Sequence, residues 1–254
     1  MTDRWDAPVF DKEKILRYDR PGPRYTSYPT APYFHEGFGV EAYEAEVART
    51  NATANPPGLS LYFHLPFCKS VCYFCGCNVN YTKDRSLGDA YVHHILLEMD
   101  ALASRLKPGR KVQQVHWGGG TPTFIPAPAL RRLWEGIRAR FDLAPGAEIG
   151  VEIDPRELTE EQIALFAESG FNRLSMGVQD YDPQVQEAIH RVQPQELTEG
   201  VFRRCRELGF DSINVDLIYG LPYQTTARFA DTVDKIIAMG PDRIAVFNFA
   251  YLPD

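Results

Sequence analysis

The sequence has no long hydrophobic run. No apolar stretch approaches the roughly 20 residues that a bilayer-spanning helix requires. The first residues, Met1-Thr2-Asp3-Arg4-Trp5-Asp6, carry no apolar segment of the kind that marks a secretory signal. A basic surface is also missing. Lys and Arg number 27 against 34 Asp and Glu, a net charge of −7, and no Lys/Arg run occurs. That balance argues against generic binding of nucleic acid or of an anionic membrane. The expectation is a soluble, cytoplasmic chain with neither as a partner. Cysteine is scarce, with five in 254 residues, yet Cys68, Cys72, Cys75 and Cys77 fall within ten positions and Cys205 stands alone. In a cytosolic protein such a cluster reads as metal ligands before it reads as disulfides. Hydrophobic residues make up 44% of the chain, enough for a sizeable core.

Residues 1–58 read as an N-terminal extension. It holds a short helix near Asp11–Tyr18, a proline-broken segment (Pro21-Gly22-Pro23-Arg24-Tyr25-Thr26-Ser27-Tyr28-Pro29-Thr30) and a helix near Val40–Arg49. From Leu59 strand and helix patterns alternate. Strands are expected at Leu59–His64, Val112–Trp117, Glu148–Ile153, Arg173–Val178, Ser212–Ile218 and Arg243–Phe249. Ser86 is expected to cap a helix reaching Leu106, and Thr159 and Gln162 have capping-box spacing. Three segments repeat one pattern, with a helix ended by Gly170, Gly209 or Gly240, two turn residues and a new strand. Such units build a parallel sheet, and six of them predict a partial (β/α)6 barrel over residues 59–254. No C-terminal domain is expected from the sequence as it stands. In a barrel of this kind chemistry belongs at the carboxyl ends of the strands. Tyr62 and His64 share one strand face, as do Glu152 and Asp154, and Asn214 and Asp216. Polar residues on one face of three strands suggest a ligand-holding lumen, the alternative being rim ion pairs.

The cysteine segment spaces Cys68, Cys72 and Cys75 as Cys-x3-Cys-x2-Cys, with Cys77 close behind. Tetrahedral zinc usually takes two ligand pairs from separate segments, so thiolates packed into one loop suit an iron–sulfur cluster better. A structural zinc knuckle, or an electron-transfer cluster with Cys77 as fourth ligand, remain alternatives. Cys205 sits at core spacing and reads as a buried apolar side chain. His116-Trp117-Gly118-Gly119-Gly120-Thr121 follows the second strand, where successive glycines let the backbone approach a ligand.

These motifs together resemble the radical S-adenosylmethionine (SAM) superfamily. Leu61–Cys68 with Cys75-Gly76-Cys77, Pro23–Thr30, Asn172–Asp180 and Asp216–Pro222 resemble the oxygen-independent coproporphyrinogen III oxidases within it, over essentially the whole chain. The resemblance implies a 4Fe–4S cluster on Cys68, Cys72 and Cys75, and two SAM molecules. It implies that the first SAM meets Tyr62, Gly119 and Glu152. The second would meet Phe74, Gly120, Thr121, Gln179, Arg191, Asp216 and Ala250. Tyr62 and Phe74 could instead be core aromatics, Arg191 a helix C-terminal cation, and Asp216 a lone rim carboxylate. The implied reaction is SAM-dependent oxidative decarboxylation of two propionates of coproporphyrinogen III to vinyl groups, giving protoporphyrinogen IX. An external low-potential electron donor is implied, and a monomer is expected. Arg24 and Tyr25 are candidates for substrate propionates, or for packing on the barrel's outside. A heme chaperone that binds heme without decarboxylation is the alternative, but such chaperones generally lack counterparts of Cys77 and Arg24–Pro29.

Overall fold

The computed structural model describes residues 9–19, 30 and 33–250. Arg24 and Tyr25 lie outside them. The chain divides into two compact units, residues 1–49 and 50–254. The first contributes α1 (Lys12–Tyr18) and most of α2 (Val40–Asn51). Asp11 caps α1 by accepting a hydrogen bond from the Lys14 amide at 2.9 Å, and neither helix buries a side chain.

The second unit opens with β1 (Leu59–Leu65), β2 (Phe67–Cys68) and β3 (Asn80–Tyr81). It continues with α3 (Ser86–Ala103), β4 (Lys111–Gly119), α4 (Ala127–Arg140), β5 (Asp142–Ile153) and α5 (Glu160–Glu168). The last part holds β6 (Arg173–Gln179), α6 (Pro183–Ala188), α7 (Gln195–Glu207), β7 (Ser212–Tyr219), α8 (Thr226–Met239) and β8 (Arg243–Asn248). Six strands form one sheet in the order β1-β4-β5-β6-β7-β8, every neighbouring pair parallel. β1 and β8 are its edges and do not pair, so the sheet is an open, partial barrel. The separate two-stranded sheet β2–β3 carries Cys68.

Alternation decides which face is buried. Leu61, Phe63 and Leu65 on β1, Val151 and Ile153 on β5, and Ile213, Val215 and Leu217 on β7 point toward the helix layer and are buried. On α4, Leu130, Leu133, Trp134 and Ile137 recur at helical spacing and are buried too. Trp117 of β4 is fully buried among Trp134, Phe166 and Phe171, all at tilted or edge-on ring angles. The opposite face is polar. Tyr62 lies beside His116 across β1 and β4, and Glu152, Ser175 and Asn214 are consecutive partners across β5, β6 and β7. Asp216 pairs with Gly177 one step nearer the carboxyl ends.

Local signals mostly behave as read. Thr159 and Gln162 form the reciprocal capping box, Asp182 caps α6, and Gly170, Gly209 and Gly240 take left-handed φ of 83°, 86° and 76°. Three readings are corrected. Ser86 is the first residue of α3 rather than its cap, and Asp84 accepts from both its amide and its hydroxyl. α3 ends at Ala103. β5 starts at Asp142, because Pro145 and Gly146 sit where the β4–β5 register shifts and do not end the strand. No helix among the described residues is long and apolar enough to cross a membrane.

Candidate functional site

At the carboxyl ends of the strands, one cavity of about 860 Å³, counted out to its open mouth, gathers the chemistry. Cys68, Cys72, Cys75 and Cys77 line one side. Gly119, Gly120 and Thr121 close β4 beneath them, and Glu152, Asp154, Gln179, Arg191 and Asp216 line the rest.

The cysteine loop is pinned at both ends. Cys68 is fixed by β2: the Thr82 amide donates to its carbonyl at 3.0 Å, and the Thr121 amide donates to the Phe67 carbonyl at 2.8 Å. A Cβ on Gly120 would fall 2.7 Å from the Phe67 carbonyl oxygen and 2.9 Å from its nitrogen, so only glycine lets these two backbones meet. Further along, the Tyr73 amide donates to the Ile189 carbonyl at 3.0 Å, and the Tyr73 ring stacks on His190. Phe74 packs against the small buried cluster of Val185, Ile189, Ile218 and Leu221, which holds the loop over the ends of β6 and β7.

Each thiol has a different neighbour. Cys68 Sγ lies 3.6 Å from the Thr121 hydroxyl, and Cys72 Sγ lies 3.7 Å from both Arg156 Nη2 and Arg191 Nη1. Burial pushes the Cys68 thiol pKa up. Cys75 and Cys77 share a hydrogen bond that draws the Cys75 thiol down and pushes Cys77 up. Among the described residues no group of His, Cys, Asp or Glu side chains closes tightly enough to hold a single ion. A cubane cluster would not require that, since Cys68, Cys72 and Cys75 would each hold a separate iron.

Glu152 is aimed from both sides: His116 Nε2 lies 3.2 Å from Oε1, and the Gly119 amide donates to Oε2 at 3.3 Å. Tyr62 stacks on His116, its hydroxyl 3.0 Å from His64 Nδ1. Tyr62 lines a groove beside α3 rather than the cysteine cavity itself. Burial, with the Glu152 charge adding to it, raises the Tyr62 pKa. Asp216 accepts from Asn214 Nδ2 at 2.7 Å and from the Ser175 hydroxyl at 3.4 Å, and burial still raises its pKa. Burial alone would raise Asp154 as well, but Arg191 and Arg156 outweigh it and hold its carboxyl below the usual range.

Gln179 ends β6 in a left-handed backbone, φ 70°, which is strained for a residue with a side chain. Its Oε1 is buried without a partner, and so is Arg191 Nε. Arg191 is 7% exposed, donates to the Gly177 carbonyl at 2.8 Å and approaches Asp154 Oδ2 at 3.3 Å. It is therefore a cavity cation and not a solvated helix-end charge.

Of the residues that the resemblance assigns to a cluster, SAM or substrate, the structure brings eleven into this cavity, with Cys77 and Asp154 beside them. Tyr62 stands beside it, Ala250 is exposed just past β8, and Arg24 and Tyr25 lie outside the described residues. His116 stood in the glycine motif without a role of its own, and Arg156 was passed over. His116 could have been found from strand alternation, since it precedes Gly118 on the polar face. Arg156 follows Asp154-Pro155 at a strand end, where no periodicity points to it.

Comparison with known proteins agrees with this geometry. Residues 62–236 match the family model described as the radical SAM superfamily. The chain is 46% identical over 255 aligned positions to the oxygen-independent coproporphyrinogen III oxidase of Pseudomonas aeruginosa, covering 100% of this chain and 54% of that protein. It is 45% identical to the Escherichia coli protein of the same description, covering 98% and 52%. The chain thus spans about half the length of the curated relatives it matches. The solved structure of Escherichia coli coproporphyrinogen III oxidase, itself described as a radical SAM enzyme, superposes with TM-score 0.86 at 43% identity, over 95% of this chain and 53% of that one. A radical SAM methyltransferase from Kitasatospora setae shares the fold alone, with TM-score 0.54 at 18% identity, over 74% of this chain and 37% of that one. An open parallel sheet, a Cys-x3-Cys-x2-Cys loop at the carboxyl end of its first strand, and a match over residues 62–236 lead to one conclusion: this chain belongs to the radical SAM superfamily.

Proposed function

We propose that this chain carries the cluster- and SAM-binding part of an oxygen-independent coproporphyrinogen III oxidase. The reaction would be oxidative decarboxylation of two propionates of coproporphyrinogen III to vinyl groups, giving protoporphyrinogen IX in heme biosynthesis. The superfamily implies a 4Fe–4S cluster and SAM. The cavity suits both: three thiols line one wall, and unpartnered Gln179 Oε1 and Arg191 Nε await a polar ligand. That convergence in one cavity is the observation that carries the reading.

Cys68, Cys72 and Cys75 would hold the cluster, leaving one iron open. When bound, the cluster and SAM supply one-electron cleavage of a carbon–sulfur bond. The chain's own residues then position and shield. Glu152, held by His116 and Gly119, would accept from ribose hydroxyls of a first SAM, with Gly119 and Tyr62 also meeting it. Phe74, Gly120, Thr121, Gln179, Arg191, Asp216 and Ala250 are proposed to meet a second SAM. Asp216, whose pKa burial raises, is held at the cavity wall by Asn214 and Ser175. Arg24 and Tyr25 are proposed partners of the substrate propionates. The chain is proposed to act as a cytoplasmic monomer that takes electrons from an external low-potential donor, without nucleic acid or membrane.

The test is anaerobic incubation of the reconstituted chain with SAM, a reductant and coproporphyrinogen III, followed by product analysis. Vinyl products and 5′-deoxyadenosine are expected, both lost in Cys72→Ala. A preparation that binds only zinc, or that binds heme and forms no vinyl product, would overturn the reading.

A further inference from the structure

Arg156 lines the cavity but has been given no role so far. It leaves β5 two residues after Asp154, and its guanidinium clamps that carboxylate, Nε to Oδ1 at 2.9 Å and Nη2 to Oδ2 at 2.7 Å. The same Nη2 lies 3.7 Å from Cys72 Sγ. Arg191 approaches the same two groups with Nη1, 3.3 Å from Asp154 Oδ2 and 3.7 Å from Cys72 Sγ. Cys72 is therefore the one thiol of the three with guanidinium N–H groups within hydrogen-bond reach. Cys68 faces the Thr121 hydroxyl, and Cys75 faces Cys77.

Two buried or half-buried guanidiniums meet a single buried carboxylate. Glu157 does not make up the difference, because Lys69 and Arg85 already hold it at 3.2 and 2.7 Å. Within ion-pair distance one positive charge remains, and both guanidiniums lie 3.7 Å from the Cys72 sulfur. An N–H donor on a ligand thiolate and an unmatched cation both favour the more negative redox state of a cluster.

We propose that Arg156, locked in place by Asp154, is a positioning residue that keeps an N–H donor on the Cys72 thiolate and so sets the reduction potential of a cluster bound at Cys68, Cys72 and Cys75. This rests on the cluster reading above. Lysine cannot replace arginine here, since only the planar fork spans the carboxylate and the sulfur together. Arg156 is a cleaner probe than Arg191, which also holds the Gly177 carbonyl beside Gln179.

The experiment is a mediated redox titration of the anaerobically reconstituted chain, followed by the electron paramagnetic resonance signal of the reduced cluster, with iron and sulfide counted in each sample. Wild type, Arg156→Gln and Arg156→Lys are compared. Arg156→Gln should shift the oxidised-to-reduced ratio about tenfold toward oxidised, a midpoint about 59 mV lower for one electron. Arg156→Lys should shift in the same direction. Where Arg156→Gln takes up no cluster, the lysine variant decides alone. A merely structural role would reduce cluster content and leave the midpoint of the loaded fraction unmoved. Fully loaded variants with the wild-type midpoint overturn the proposal and spare the cluster reading. A wild-type chain that takes up no iron and sulfide overturns both.

Discussion

Asp154→Asn should cost the metal-free chain about 3 kcal/mol of unfolding free energy at pH 7, the low end of what breaking a buried ion pair removes. The lower figure follows from Arg156, whose side chain is 19% exposed and keeps some solvation. The geometry makes the loss hard to avoid. Oδ1 accepts from the Arg156 amide at 3.0 Å and from Nε at 2.9 Å, while Oδ2 accepts from Arg156 Nη2 at 2.7 Å and Arg191 Nη1 at 3.3 Å. An asparagine carbonyl can serve one of these positions. Its amide must occupy the other, where it sets donor against donor. The pH dependence has a definite sign. Asp154 is held below the ordinary carboxylate range in the folded chain, so its contribution is present above the unfolded value of about 3.9. That contribution is lost as pH falls through the lower, folded value. Urea unfolding of the reduced, metal-free wild type and variant, at pH 7 and again at pH 3, measures both effects. A loss below about 1 kcal/mol at pH 7, or a difference that does not shrink in acid, would refute the assignment of Asp154 as the anion between two guanidiniums.

Gly120→Ala should displace β2 and with it Cys68, because the added methyl would meet the Phe67 backbone at 2.7 Å. Iron and sulfide uptake should fall at least severalfold, and uptake equal to wild type would show that the contact relaxes freely. Gln179→Gly should relieve a left-handed residue and raise unfolding free energy by about 1 kcal/mol, while weakening SAM binding measured by equilibrium dialysis. A variant no more stable than wild type would remove the strain argument. Asp216→Asn should stabilise the metal-free chain at pH 7. Burial raises the pKa of Asp216, so its ionised form destabilises the fold once pH exceeds the ordinary carboxylate range, and the gain should vanish in acid where both states are protonated. A urea midpoint that drops at pH 7 would contradict this.

Where the fold was legible, periodicity carried it. Alternation on β1, β5 and β7 separated Leu61, Val151 and Val215 from Tyr62, Glu152 and Asp216, and the structure puts the first set under helices and the second on the polar face. Turn chemistry was equally direct at Gly170, Gly209 and Gly240, where a left-handed residue must end each helix. The two-residue strands β2 and β3 were invisible, because two residues have no period and their pairing depends on contacts 13 positions apart. β5 was shortened for the opposite reason, since Pro145 and Gly146 look like a stop until they are seen to bulge out of β5 between its paired residues Leu143 and Glu148. Within the site, the thiols declared themselves by spacing, and the residues that surround their sulfurs did not. Arg156 and Arg191 lie 84 and 119 positions from Cys72, and only the folding of the parallel sheet puts both guanidiniums on one sulfur. A motif can name the ligands of a centre because local geometry constrains them. Its electrostatic setting is written in long-range contacts, so relatives with the same three cysteines can hold the same cluster at different potentials.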